Sequence, residues 1–239
     1  MKLTVIIPVY NEINSIDILL KKVLKTNVKK QIIVVDDFSN DGSREKIIEN
    51  FEDKIDNIIL HEYNQGKGAA IKSAQKYVNG DYIIIQDADL EYNPDQYELF
   101  TNEVKNNNYK AIYGSRVLKK DKYLNVQNFS HKIRIWGNIF LTFVSNKINN
   151  QNLTDAHTCY KMIESKIFKS LILKEKGFAF CPEVTTKLSK LGVNIFEIPI
   201  NYEGRTYKEG KKIKAIDALK AIVALIRYRY FENKWSYYI

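Results

Sequence analysis

The chain has 239 residues, with 37 Lys+Arg against 28 Asp+Glu and a formal net charge of +9. Its 45% hydrophobic and 27% charged residues, with only 4 Pro and 10 Gly, exclude a disordered or collagen-like chain and suit one large domain, with or without an extension. The positive balance favours anionic partners: a phosphorylated substrate, a membrane surface or nucleic acid.

Residues 3–9 (LTVIIPV) read as a buried strand, and 13–24 as a helix with Ile16, Leu19, Leu20, Val23 and Leu24 at helical spacing. A strand at 32–35 is followed by Asp41-Gly42-Ser43, opening a helix to about Phe51. Strand 58–60, helix 68–78 and strand 82–85 come next. Pro94 starts another helix, as Pro does at a first helical turn, before a fifth strand at 111–113. Nearly continuous apolar strands between helices predict an α/β fold, a mostly parallel sheet covered on both faces. After Arg116 the pattern breaks. Residues 118–128 are lysine-rich and read as a mobile loop, 133–144 as a helix, 158–163 as a strand, 183–191 as a helix and 194–198 as a last strand. Residues 213–231 form an amphipathic helix, so the chain divides into a domain at 1–204 and a basic loop with C-terminal helix at 205–239.

Cys159 and Cys181 are too few for a disulfide framework and read as free thiols in a reducing compartment. They form no Cys/His cluster for zinc, and His61, His131 and His157 are scattered. No signal peptide is visible, and the apolar run at 221–226 is far shorter than the ~18 residues of a spanning helix. A cytoplasmic protein, soluble or peripheral to the membrane's cytoplasmic face, is expected.

In open α/β sheets ligands bind beyond the carboxyl ends of the strands. The first strand ends in Pro8-Val9-Tyr10-Asn11-Glu12, without the G-x-G-x-x-G of a dinucleotide fold. The second ends in Asp36-Asp37, where a carboxylate can accept hydrogen bonds from a base or ribose; Asp41 reads as a helix cap. The fourth ends in Gln86-Asp87-Ala88-Asp89-Leu90-Glu91. Two carboxylates two residues apart can share one Mg²⁺ or Mn²⁺ and leave positions for phosphate oxygens. Arg116, after the fifth strand, suits a phosphate. Asn64-Gln65-Gly66-Lys67-Gly68 lacks P-loop spacing and reads as a tight turn into a closely packed helix.

The runs VIIPVYNE, VVDDFSNDGS, NQGKGAA, YIIIQDADLEYNP and YGSR, in this order, together with LTDAHTCYKM and the segment from Gly177 to Ile213, resemble a family-2 glycosyltransferase of GT-A fold. The similarity is greatest to the dolichyl-phosphate mannosyltransferase and polyprenyl-phosphate glycosyltransferase branch. The resemblance implies a nucleotide-contacting role for Pro8, Tyr10, Glu12 and Asp36. It implies metal and diphosphate binding by Asp87 and Asp89, with Glu91 near the metal where the branch commonly has Gln. Arg116 matches an acceptor-phosphate arginine and Arg205 a donor-diphosphate arginine; Lys132 and Arg134 are candidates for a second acceptor-side cation.

The reaction so implied is sugar transfer from a UDP- or GDP-sugar with inversion, Asp89 and Arg116 serving the chemistry. A lipid monophosphate acceptor is already anionic and needs cations. A hydroxyl acceptor, such as diacylglycerol or a glycan, needs a base, for which Asp155 is the candidate. Glu183, after Pro182, reads as a first-turn carboxylate favoured by the helix dipole. A sugar-nucleotide nucleotidyltransferase is the alternative from another class, but would carry a Gly-rich basic loop where this chain has PVYNE. A nucleic-acid module is opposed by the acidic strand ends, and a catalytically silent scaffold by the intact Asp87/Asp89 pair. Residues 204–239 hold nine Lys+Arg and three Asp+Glu, two thirds of the net charge, interleaved with Ala215, Ile216, Leu219, Ile222, Val223 and Ile226 and followed by aromatics. That composition suits an anionic membrane surface, or a helix docked on the domain with a different face.

Overall fold

A computed structural model describes residues 1–119, 129–205 and 215–232. Most of the lysine-rich loop, the basic run at 208–214 and the aromatic tail at 235–238 lie outside the described residues.

The first half alternates as the apolar runs predict: β1 (Leu3–Val9), α1 (Ile16–Lys25), β2 (Lys30–Asp36), α2 (Ser43–Phe51), β3 (Asn57–Leu60), α3 (Lys67–Ala74), β4 (Tyr82–Ile85), α4 (Tyr97–Asn107) and β5 (Ala111–Ser115). α1 starts three residues later than the periodicity suggests, because Asn11–Ile13 are held in a loop by side chains of residues 39–43. Asn93 caps the turn that Pro94 opens ahead of α4. The second half adds α5 (Phe129–Asn149), β6 (Lys161–Glu164), α6 (Ser165–Ser170), α7 (Phe180–Lys190), β7 (Ile195–Pro199) and α8 (Ala215–Ile226), whose last turn widens into a π-helical one at Arg227–Phe231. α6 has no counterpart in the sequence reading, and α5 extends beyond the predicted 133–144 at both ends.

Among the described residues seven strands form one sheet in the order β3-β2-β1-β4-β6-β5-β7, with β6 alone running against its neighbours β4 and β5. Alternation along β1 explains the two core layers. Leu3, Val5, Ile7 and Val9 face α1, α2 and α4, while Ile6 faces the layer shared with α3 and α7. All parallel strands therefore end on one edge, which gathers Glu12, Asp36, Asp87 and Arg116.

α5 and α8 pack against each other, and α8 also lies on α7. α8 turns Ala221, Ala224, Leu225 and Tyr228 inward and leaves Ile216, Leu219, Val223 and Ile226 exposed. α5 is inverted relative to a helix on a soluble core. Its outward residues are Ile133, Trp136, Phe140 and Phe143, with Trp136 70% exposed. Its buried residues beyond Ile135 are polar (Thr142, Ser145 and Asn149), with Ile139 and Ile148 half-buried beside them; Asn138 bonds Asp155, Thr142 bonds the Ala156 amide, and Asn146 bonds both backbone groups of Leu153. An amphipathic helix of a soluble domain carries the opposite arrangement. Among the described residues no helix is long and apolar enough to cross a membrane.

Candidate functional site

The loops after β1 and β2 are laced together. Ser39 Oγ accepts from the Asn11 amide at 3.0 Å, Ser43 Oγ from the Glu12 amide at 2.8 Å and Asp41 from the Ile13 amide at 3.0 Å. Asp41 also accepts from the Ser43 amide, but the N-cap of α2 is Gly42 and carries no side-chain cap, so Asp41 shapes the turn ahead of the helix and ties the loops together instead of capping it as expected. Pro8 stands one residue before the end of β1, in register with Val35, Tyr10 is 36% exposed, and Glu12 is buried. Asp36 is fully buried; Arg44 Nε donates to its Oδ2 at 2.7 Å, while its Oδ1 has no hydrogen-bond partner among the described residues. A buried carboxylate oxygen left unsatisfied is costly and marks a place for a donor from elsewhere.

The neighbouring Asp37 does structural work that the sequence reading did not assign. Its carboxylate accepts from the amides of Gln65 and Gly66 and from His61 Nδ1 at 2.6 Å. That fixes the turn into α3. Gly66 has φ +94°, and a Cβ there would lie 2.5 Å from the Lys176 carbonyl oxygen; at Gly68 it would lie 2.2 Å from that of Glu175. Only glycine lets the turn approach the 175–177 backbone this closely. The turn delivers the Lys67 ammonium onto Asp87 Oδ1 and to within 2.9 Å of Cys159 Sγ. Burial works against that ammonium, but Asp87 and Cys159 outweigh it and hold its pKa above the ordinary lysine value. Lys67 is thus a site residue, although its motif lacks P-loop spacing.

Asp89 is pushed up to about 7 by burial and by the charges of Asp87 and Glu91, which Arg205 and Lys67 only partly offset. Arg205 reaches Asp89 at 3.1 Å and grips Glu12 with both terminal nitrogens at 2.9 and 3.0 Å. Its Nε is buried without a partner among the described residues. Asp87 and Asp89 offer hard oxygen donors with charge left to neutralise, which fits Mg²⁺ or Mn²⁺. Among the described residues no third His, Cys, Asp or Glu completes a set, so the pair fits an ion shared with a ligand's oxygens rather than a protein cage. Glu91 is turned elsewhere. Its oxygens accept from Tyr202 Oη at 2.7 Å and from the Arg205 amide at 2.6 Å, so it anchors the arginine segment.

At the end of β5, Arg116 is clamped by Asp155. Nε donates to Oδ2 at 2.6 Å, Nη2 to Oδ1 at 2.8 Å and the backbone amide to Oδ2 at 3.1 Å. Asn138 Nδ2 adds a bond to Oδ1 at 2.9 Å, and the guanidinium lies over the Tyr202 ring. Burial alone would raise the Asp155 carboxyl, but Arg116 outweighs it and holds it below the usual carboxylate range. Glu197, on β7, fixes the segment from behind, accepting from Thr154 N, Thr154 Oγ1 and Asp155 N at 2.6–2.9 Å. Lys132 is exposed and Arg134 half-buried, both in the first two turns of α5. Glu183 sits in the first turn of α7 as read, fully buried and paired with Lys187 away from these groups.

The site lies in a chain with clear relatives. The family model described as Glycosyl transferase family 2 matches residues 4–172. A dolichyl-phosphate beta-glucosyltransferase of Trichomonas vaginalis is 26% identical over 97% of this chain and 74% of its own length. An undecaprenyl-phosphate mannosyltransferase of Micrococcus luteus is 25% identical over 88% of this chain and 87% of its own. Glucosyl-3-phosphoglycerate synthase of Mycobacterium tuberculosis, solved with Mn²⁺, UDP and phosphoglyceric acid, superposes with a TM-score of 0.69 at 13% identity, covering 95% of this chain and 78% of that one. With the family model spanning most of the sheet and its strand-end residues, this chain belongs to glycosyl transferase family 2 and is a glycosyltransferase of GT-A fold.

Proposed function

We propose that the protein moves a hexose, with inversion, from a nucleotide diphosphate sugar to a lipid-linked phosphate at a membrane surface. The observation that carries the choice of acceptor is the Arg116–Asp155 clamp. A hydroxyl acceptor needs a carboxylate able to take its proton, and Asp155 is committed to Arg116 and held below its usual pKa. A phosphate acceptor is already an anion and needs a fixed cation, which the clamp provides. The lipid-phosphate acceptors named for the two sequence relatives agree with this reading.

On the donor side, Pro8, Tyr10, Glu12 and Asp36 line the nucleotide position, and the unpartnered Asp36 Oδ1 would receive a base or ribose donor. Lys67 and Arg205 stand over Asp87 and Asp89, where the diphosphate would lie, and the unpartnered Nε of Arg205 would meet one of its oxygens. Asp87 and Asp89 would hold Mg²⁺ or Mn²⁺, which neutralises charge on a departing diphosphate. Arg116 holds the attacking phosphate oxygen, and Lys132 or Arg134 supplies a second cation. The apolar stripes of α5 and α8, with exposed Lys132, Lys220 and Arg227 near them, form the face that meets an anionic bilayer.

Acceptor kinetics of Asp155→Asn test this reading. A loosened clamp raises the KM for polyprenyl phosphate by about tenfold and leaves kcat within a few-fold, as for a lost charge-assisted hydrogen bond. A kcat loss of several orders of magnitude with KM unchanged, or turnover on diacylglycerol alone, would replace it with the hydroxyl reading.

A further inference from the structure

α5 exposes Ile133, Trp136, Phe140 and Phe143 on its outer face and turns a row of hydrogen-bonding residues inward, and the two stripes meet different requirements. Trp136 and Phe140 flank Asn138 in sequence, two residues before and two after. At 100° per residue that spacing puts them across the helix from it. Asn138 is half-buried, and its amide nitrogen donates to Asp155 Oδ1 at 2.9 Å. That oxygen also accepts from Arg116 Nη2 at 2.8 Å. One turn further along, Thr142 Oγ1 takes the Ala156 amide, and one turn beyond that Asn146 takes both backbone groups of Leu153. The 153–156 segment therefore hangs on the inner face of the helix whose outer face is apolar, and Asn138 is the rung that reaches the charged clamp itself.

We propose that Asn138 is a positioning residue: it ties the Asp155–Arg116 clamp to the lipid-facing helix, so that Arg116 meets the acceptor phosphate at a fixed height relative to the bilayer surface. The inference rests on the reading of Arg116 as the acceptor cation. An amide suits the position. It donates one hydrogen bond to a carboxylate already engaged by a guanidinium and adds no charge; an aspartate there would set a like charge beside Asp155.

The test uses the full chain and two acceptors with the same phosphate. One is a long-chain polyprenyl phosphate in phosphatidylglycerol/phosphatidylcholine vesicles, the other a short, water-soluble prenyl phosphate. Asn138→Ala and Asn138→Asp are compared with Arg116→Ala, and thermal stability and UDP affinity are followed for each. For Asn138→Ala we expect the acceptor KM to rise roughly tenfold in vesicles and only two- to threefold in solution, with kcat and UDP affinity within twofold of wild type. Asn138→Asp should rise further, and Asn138→Gln, which keeps the amide, should recover most of the vesicle KM. If Arg116→Ala raises the acceptor KM but the Asn138 variants do not, or raise it equally for both acceptors, the coupling to the bilayer is wrong while the function stands. If Arg116→Ala leaves the acceptor KM unchanged, the underlying reading falls first. A joint fall of stability, UDP affinity and kcat in all three Asn138 variants would reduce Asn138 to a scaffold residue.

Discussion

At the Asp87–Asp89 end of the site, among the described residues, the carboxylates of Glu12, Asp87 and Asp89 meet the cations of Lys67 and Arg205, with Glu91 close by on the Arg205 backbone amide. At the Arg116 end, among the described residues, the guanidinium meets the buried Asp155 carboxylate, Asn138 adds a neutral donor, and Glu197 holds the segment from behind. The pKa directions follow the difference. Asp89 is pushed up to about 7, whereas Asp155 is held down. The first end carries charge that an incoming cation and a diphosphate can rearrange; at the second, Arg116 and Asp155 already neutralise each other. On the proposed function, the first would receive a leaving group and the second would hold an attacker still, for which preorganisation is the property required.

The largest expected effect breaks the first end. Asp89→Ala should lower turnover by about 10³ or more, as expected when stabilisation of leaving-group charge is removed, and should abolish the Mn²⁺-dependent part of UDP binding by calorimetry. Unchanged turnover would show that the two ends do not divide the work in this way. Lys67→Met comes next. Losing one charge-assisted contact should weaken donor binding by about tenfold and leave acceptor KM alone. An acceptor defect of the same size would blur the comparison.

Much of the first end was legible because its residues sit at strand ends, and strand ends follow from apolar runs. Asp87 and Asp89 leave a predicted strand there, as Asp36 does beside them and Arg116 does at the second end. Lys67 was not legible by that route. Its place depends on Gly66 and Gly68 packing on the backbone of residues 175–177, more than a hundred positions away. Asp37 was passed over beside Asp36, because nothing local says which of two adjacent carboxylates turns toward the 65–66 amides. The second end was harder still. The candidate base Asp155 finds its partner 39 residues upstream, across the antiparallel β6 whose direction no local pattern encodes. One signal was available. Asn138, Thr142, Ser145 and Asn149 recur at helical spacing opposite Trp136, Phe140 and Phe143. A search for a polar stripe, as well as an apolar one, would have found the inverted helix.

Glu197→Gln sharpens the second end with a smaller effect. Glu197 accepts two amides and a hydroxyl, and burial raises its pKa against those bonds. A glutamine presents an NH₂ to one of these donors, so one bond is replaced by an opposed pair. The cost should be ~1–3 kcal/mol of stability in urea unfolding and a three- to fivefold rise in acceptor KM, with UDP affinity unchanged. A weakened UDP affinity with normal acceptor KM would place Glu197 on the wrong side of the comparison.

Lys161 feels the charges of Asp155 and Arg116, but among the described residues its side chain hydrogen-bonds only the Ala156 carbonyl, and it therefore provides the control. It is fully buried on β6, its Nζ donating to the Ala156 carbonyl at 2.9 Å and lying 3.4 Å from the centroid of the Tyr113 ring. Burial brings its pKa down to about 8, against the opposing pull of Cys181, Cys159 and Asp155. An unfolded lysine keeps its proton to about pH 10.4, so between pH 8 and 10 the unfolded chain binds more protons than the folded one. Stability then rises with pH in that window, by at most about 1.4 kcal/mol per unit for one proton, and the contribution is lost as pH falls through 8. Lys161→Met removes the titrating group and keeps a similar volume. Urea midpoints at pH 7.5, 8.5 and 9.5 should therefore show the wild type gaining on the variant as pH rises, with both KM values unchanged throughout. Parallel curves would mean that the lysine keeps its ordinary proton affinity inside the sheet. A shift in either KM would mean that β6 transmits its charge to one end of the site, and the division between the ends would have to be redrawn at the strand that separates them.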